Sequence, residues 1–105
     1  LSDLVWLTDT PPEEALAFWQ RDYPVMQTLA GLLKTVQEAG YRCLWHTELP
    51  QRAWHNYLDP IERNLARHSA ELGDSPAWQD LSREVAIHRQ HLGSYGYVIC
   101  CLQAV

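Results

Sequence analysis

Glycine is scarce and scattered in this chain. The five glycines stand at positions 31, 40, 73, 93 and 96, and none falls in a G-x-G-x-x-G, P-loop or G-x-S-x-G frame. That excludes a phosphate-cradling loop and a nucleophile elbow within these residues. Basic residues are also few. Eight Lys and Arg stand against 13 Asp and Glu, for a net charge of −5, and no basic cluster occurs. A nucleic-acid partner is therefore not expected, because phosphates demand a basic footprint. No apolar run approaches the length of a membrane span, so no membrane partner is expected either. The three cysteines, Cys43, Cys100 and Cys101, cannot build a disulfide framework: the count is odd and two of them are neighbours. Each lies in an apolar, strand-like run, which reads as buried small hydrophobes in a reducing, cytoplasmic setting. No signal-peptide architecture is present, and the opening Leu1 reads as an internal start.

Phenylalanine and methionine are nearly absent, one of each, whereas Trp and Tyr number five apiece. Amphipathic aromatics fill cores, but they also line pockets, where one polar edge stays available. Five histidines raise the question of a metal. His88 and His91 have i, i+3 spacing, with His68 and Glu84 as possible companions, yet there is no H-E-x-x-H and no Cys/His quartet. Helix histidines that are solvated or hydrogen-bonded fit better than ligands, and no metal is expected. The cysteines sit in strand interiors rather than at an electropositive turn, so a thiolate nucleophile is not expected.

Composition is globular, with 47% hydrophobic and 20% charged residues over 105 positions, enough for one domain at most. Residues 4–7 form a short apolar strand. Thr10-Pro11-x-Glu13 then predicts a capped helix start, and that helix carries Ala15, Leu16, Phe18 and Trp19 before Tyr23-Pro24 stops it. Val25, Met26, Leu29, Leu32, Leu33 and Val36 share one face of a 3.6-residue period, predicting a helix over 25–39 with Gly40 as its left-handed cap. Residues 41–49 read as a strand. Pro50 opens a short helix with Trp54, Tyr57 and Leu58, and Asp59-Pro60-x-Glu62 predicts a fresh start there. A last helix runs from Ser75-Pro76 to Gly93. The run 95–102 is apolar at every position, which predicts a strand buried on both faces. Two or three strands with five helical segments do not close a sheet, so the fold reads as incomplete.

The order of these pieces resembles one family. Val5-Trp6-Leu7-Thr8, Phe18-Trp19, Tyr23-Pro24, Ala39-Gly40-Tyr41, Leu49-Pro50 with Trp54 and Tyr57, Glu84 with His91, and Tyr95-Gly96-Tyr97-Val98 follow one another as in the C-terminal half of class I S-adenosylmethionine-dependent methyltransferases. The kind resembled is the type 11/type 25 small-molecule enzyme, and the resemblance spans the whole chain. It implies an α/β fold: the C-terminal portion of a Rossmann-like sheet, with about three strands and a helical insertion. By it, residues 4–7 are the fifth strand, 41–49 the sixth and 95–104 the seventh, antiparallel between the other two. Residues 51–92 are then an insertion that roofs a substrate pocket, and 1–105 is a single partial domain.

The resemblance further implies S-adenosyl-L-methionine as cofactor of the parent enzyme and a small-molecule methyl acceptor as its partner. The glycine-rich loop and ribose-binding acid of that family have no counterpart here, so no cofactor-binding residue is expected in this chain and the chain alone is expected to be inactive. The substrate-side residues it implies are Trp6, Thr8, Trp19, Tyr23, Trp54, Tyr57 and Glu84, with Trp19, Tyr23, Trp54 and Tyr57 expected in one concavity. Glu84 or His91 would deprotonate or orient the acceptor. The sheet edge beside 4–7, where the parent sheet would continue, would lie open and favour a homo-oligomer. The alternative is a small helical α/β interaction module with no catalytic role.

Overall fold

The computed structural model describes residues 1–105, which fall into two compact units: Leu1–Leu49 with Gly93–Val105, and Pro50–Leu92. The first unit is a sheet with two helices. Strand β1 (Ser2–Trp6) leads to helix α1 (Glu13–Asp22), a two-residue strand β2 (Gln27–Thr28), helix α2 (Leu29–Glu38), strand β3 (Tyr41–Glu48) and, after the second unit, strand β4 (Tyr95–Ala104). The sheet order is β2-β1-β4-β3, with β2 parallel to β1 and β4 antiparallel to both of its neighbours. The last strand thus lies between the strands read as fifth and sixth.

Side chains alternate across a strand, and α2 covers one face of this sheet. Leu32 and Val36, one turn apart, pack with Val5, Val98 and Cys100, flanked by Leu29, Leu33, Cys43 and Leu102. The opposite face of β4 is covered only at its start. Tyr95 is fully buried, but Ile99 is 39% exposed and Cys101 is exposed. The strand is therefore not buried on both faces as its composition predicts. Apolar residues at every position record what the strand prefers, and only one helix lies along it. For the same reason Cys100 is buried, with its thiol pKa raised by burial, whereas Cys43 is half-buried and Cys101 faces water.

Three local boundaries differ from the sequence reading. Helix α1 begins at Glu13 without a side-chain cap, because the cap position falls on Pro12, whose ring carries no acceptor, two residues beyond Thr10. Helix α2 begins at Leu29 rather than 25. Thr28 caps it by accepting from the Gly31 amide at 3.2 Å, which frees Gln27 and Thr28 to pair with Val5 and Trp6. Gly40, at φ +91°, takes the left-handed turn between α2 and β3 that an L side chain would resist. In β3 the register shifts between Cys43 and Trp45, a bulge across which the Cys43 thiol donates to the Trp45 carbonyl at 3.3 Å.

The second unit is helical: α3 (Gln51–Arg67), α4 (Ser69–Leu72) and α5 (Pro76–His91). Helix α3 runs straight through Pro60 instead of restarting there. Pro60 and Asn56, whose carbonyl loses its donor, are both exposed, so water takes the lost hydrogen bond. Ser75 and Pro76 start α5 as the sequence predicts, with Pro76 in the first turn. Leu58, Val85 and Ile87 are its buried apolar residues together with Leu92. No helix in the chain is long and apolar enough to cross a membrane.

The asymmetry between the two sheet faces sets a measurable contrast. Leu32→Ala, at the centre of the α2 contact, is expected to lower unfolding free energy by about 2–5 kcal/mol. Val25→Ala, at a residue 72% exposed, is expected to change it by no more than about 0.5 kcal/mol. Urea titration of both variants checks this.

Candidate functional site

Trp6 ends β1 opposite Tyr95, the first residue of β4. Opposed residues in an antiparallel ladder share a face, here the one turned away from α2. Their rings meet edge to face with centroids 6.1 Å apart. Trp19 of α1 meets Tyr95 in the same manner at 5.2 Å, and Phe18 stands 5.2 Å from Trp19. The four rings form a chain of edge-to-face contacts, the geometry that the aromatic quadrupole favours. Tyr95 at its centre is sealed from water, while Phe18 and Trp19 are half-buried.

Tyr23, at the end of α1, is tied back to β1. Its hydroxyl donates to Asp3 Oδ1 at 2.6 Å, and the same oxygen accepts from the Leu4 amide at 2.8 Å. The hydrogen bond to the Asp3 carboxylate, aided by burial, raises the Tyr23 phenol above its ordinary pKa. Thr8 shapes the turn after β1 through its bond with Thr10. Across the sheet, the end of β3 brings Glu48 over Gly96: a Cβ added there would lie 3.1 Å from Glu48 Oε1 and 3.4 Å from Leu7 Cδ1. The carboxyl ends of β1 and β3 therefore carry the aromatic chain on one face and an acid on the other. Strand ends of this kind are where open α/β sheets receive ligands.

In the helical unit, Trp54 of α3 lies against His88 of α5, ring centroids 5.3 Å apart. His88 is only 4% exposed, and its Nε2 is 3.7 Å from Glu84 Oε1. Burial pushes the His88 pKa below its ordinary value, against the pull of Glu84. The next residue, Arg89, donates to Glu62 Oε2 at 3.1 Å and also reaches Asp59 and His55, three partners on one stripe of α3. That contact raises the Arg89 pKa and lowers that of Asp59. A separate apolar groove of about 370 Å³ is lined by Ile61, Leu65, Leu72, Trp78 and Leu81, with His68 at its side. Trp78 Nε1 fixes it by donating to the Leu65 carbonyl at 3.0 Å.

The seven residues singled out from sequence thus divide. Trp6 and Trp19 share one cluster and Tyr23 is tied to the same strand, whereas Thr8 serves its own turn. Trp54 and Glu84 meet at His88. Tyr57 is 53% exposed, and none of the seven lines the groove. Sequence reasoning missed Asp3, Glu48, Tyr95 as the hub, and His88. A lone acid inside an apolar strand was the available signal for Asp3, and a histidine on the apolar stripe of α5 was the signal for His88. No three histidine, cysteine or carboxylate side chains come together as a metal site would need.

The sequence matches no family model and no curated protein. Solved structures do match. An S-adenosylmethionine-dependent methyltransferase from Geobacter sulfurreducens, in complex with S-adenosyl-L-homocysteine, superposes on 99% of this chain with TM-score 0.73 at 14% identity. The counterpart from Thiobacillus denitrificans, also in complex with S-adenosyl-L-homocysteine, gives 0.72 at 14% over the same 99%, and YjhP from E. coli gives 0.71 at 17%, again over 99%. The likeness is one of fold: the chain has the α/β arrangement of the matched part of these structures. The chain spans only 44%, 44% and 48% of those three structures respectively.

The buried His88 gives the helical unit a pH dependence of known sign. A pKa lower in the folded than in the unfolded state means that the unfolded chain binds the proton more readily. Stability is then intact above about pH 6.5, the unfolded value, and falls as pH drops below it. Thermal melts at pH 7 and pH 5 are expected to show this loss, and His88→Gln is expected to reduce it.

Proposed function

We propose that this chain is the substrate-side half of an S-adenosylmethionine-dependent methyltransferase acting on a small molecule, and that it is inactive without a cofactor-binding half. The observation that carries the reading is the sheet order: a long last strand, antiparallel, inserted between two strands that run parallel to each other. Its agreement with methyltransferase structures over 99% of the chain but less than half of theirs supports a partial catalytic domain.

The residues present do not fit the cofactor. The turn from β1 into α1 runs through Pro11 and Pro12, which carry no N–H, and into Glu13 and Glu14. The single positive-φ glycine, Gly40, lies in a helix-to-strand turn rather than a strand-to-helix one. No backbone cradle for an adenosyl group arises from these segments, and the cofactor is assigned here no contact with this chain.

What the chain supplies is the acceptor's surroundings. Trp19 and Phe18, half-buried over the buried Trp6 and Tyr95, offer a flat or apolar acceptor an apolar surface that keeps water away. Tyr23, braced by Asp3, and Thr8 border that surface. Of the helical unit taken by itself, the resemblance offers Trp54, Tyr57 and Glu84 as substrate-side residues, and there Glu84 stands beside His88 as a pair able to hold or move a proton.

Calorimetric titration of this chain with S-adenosylmethionine is expected to show no single-site binding in the micromolar range. Joined to a glycine-rich half, the chain is expected to gain such binding, and Trp19→Ala is expected to leave cofactor affinity unchanged while weakening the acceptor. Micromolar binding by the isolated chain would overturn the assignment of the cofactor to the other half.

A further inference from the structure

Two of the three cysteines share a face of the sheet. In the ladder Cys43 stands opposite Leu102 and His46 opposite Cys100, whereas Cys101 stands opposite Trp45. Side chains alternate across a strand, so Cys43 and Cys100 both turn toward α2. Cys100 belongs to the buried cluster with Val5, Leu32, Val36 and Val98, and Cys43 packs against that cluster. Cys101, on the other face, is exposed. The odd count that rules out a disulfide framework therefore leaves one pair.

The two thiols are diagonal neighbours across β3 and β4, and the Cys43 side chain leans along that diagonal. Its thiol donates to the Trp45 carbonyl at 3.3 Å, and so points toward the Trp45–His46 end of β3, where Cys100 stands across the ladder. Burial raises the Cys100 pKa first, and the Cys43 thiol adds to it by charge and by hydrogen bonding, as a close sulfur neighbour would. A disulfide requires the two backbones to draw together. Strand β3 can yield here, because it is paired on one side only and its bulge between Cys43 and Trp45 interrupts the ladder beside Cys43.

Access separates their roles. Cys43 is half-buried and lines an open groove of about 470 Å³ with Leu33 and Gln37 of α2 and Tyr41 of β3. Cys100 is 2% exposed. We propose that Cys43 and Cys100 form a peroxide-reactive pair, Cys43 being the site of oxidation and Cys100 the thiol that resolves it into a disulfide. The Cys43 sulfur attacks one oxygen of a small hydroperoxide, the O–O bond breaks, and the thiol proton leaves with the departing oxygen. Cys43 is then a sulfenic acid. The Cys100 sulfur attacks the Cys43 sulfur, the S–O bond breaks, and hydroxide leaves with the Cys100 proton as water. Two thiols and one hydrogen peroxide thus give one disulfide and two waters, the sulfurs losing the two electrons that the peroxide gains. A dithiol reverses the linkage by exchange. Burial keeps Cys100 a thiol until Cys43 has become electrophilic, and Cys101, on the opposite face, takes no part.

Treating the reduced full chain with a slight excess of hydrogen peroxide tests this. Two of the three thiols should be lost together, the mass should fall by two hydrogen atoms, and peptide fragmentation should show Cys43 joined to Cys100. Dithiothreitol should restore both thiols. Cys101→Ser should leave this behaviour intact. In Cys100→Ser the oxidation should halt at Cys43, where dimedone captures the sulfenic acid, and Cys100→Ala, which adds no buried hydroxyl, should give the same result in a fold checked by circular dichroism. In Cys43→Ser the buried Cys100 should stay reduced. A wild-type protein in which both thiols survive the peroxide, in which Cys43 and Cys100 oxidise independently, or in which the disulfide runs through Cys101 or between two copies would overturn the proposal.

Discussion

Strand β4 organises everything else in the first unit. Its ten residues pair with β1 on one side and β3 on the other, and through Val98 and Cys100 it forms the floor on which α2 rests. Its first residue, Tyr95, is the hub of the aromatic chain. The same strand therefore fixes three things at once: the spacing between β1 and β3, the covered face of the sheet, and the placement of Trp6 relative to Trp19. An antiparallel strand is needed for this arrangement. With β1 and β3 parallel, both of their carboxyl ends open at one end of the sheet, while β4 enters from that end and offers Tyr95 and Gly96 there. Gly96 leaves room for Glu48 on one face as Tyr95 supports the rings on the other.

The helical unit is held differently. Its ion pairs cluster on Arg89, which gathers Asp59, Glu62 and His55 from successive turns of α3. All of these groups are solvent-accessible, and such pairs orient helices more than they stabilise them. The apolar contribution comes from Leu58, Val85 and Ile87, and from His88 packed as a neutral ring against Trp54. A histidine in that position is a polar group used as a core residue. Its ring area contributes packing, and its proton equilibrium makes that packing conditional.

Much of this was legible in the residues. The strand at 41–48, the cap at Gly40, the start of α5 at Ser75-Pro76 and the central antiparallel strand follow from patterning and from the ordered resemblance. The failures have physical causes. Val25 and Met26 match the helix period, but periodicity says nothing about Thr28, whose hydroxyl caps a later start. Pro60 is a helix breaker where its missing hydrogen bond is buried, and here that bond faces water. The apolar run 95–102 predicts burial on both faces because composition records preference and not supply: only one helix lies along that strand. In the site, Trp6 and Trp19 were visible as aromatics near a strand end, whereas their hub was not. Tyr95 becomes the hub only through a ladder register that joins residues nearly the whole chain apart.

That register also dictates the order in which the molecule can assemble. Ser2 pairs with Ile99, and Leu1 accepts from the Cys100 amide at 2.7 Å. The helices of Pro50–Leu92 make contacts close in sequence, which form quickly, while β1 must wait for the far end of the chain. Closing so long a loop costs entropy that rises only logarithmically with length, so the delay is one of sequence more than of stability. On a ribosome, β1 and α2 emerge early and stay without their central strand until residue 99 has been made, their apolar sides open to other chains.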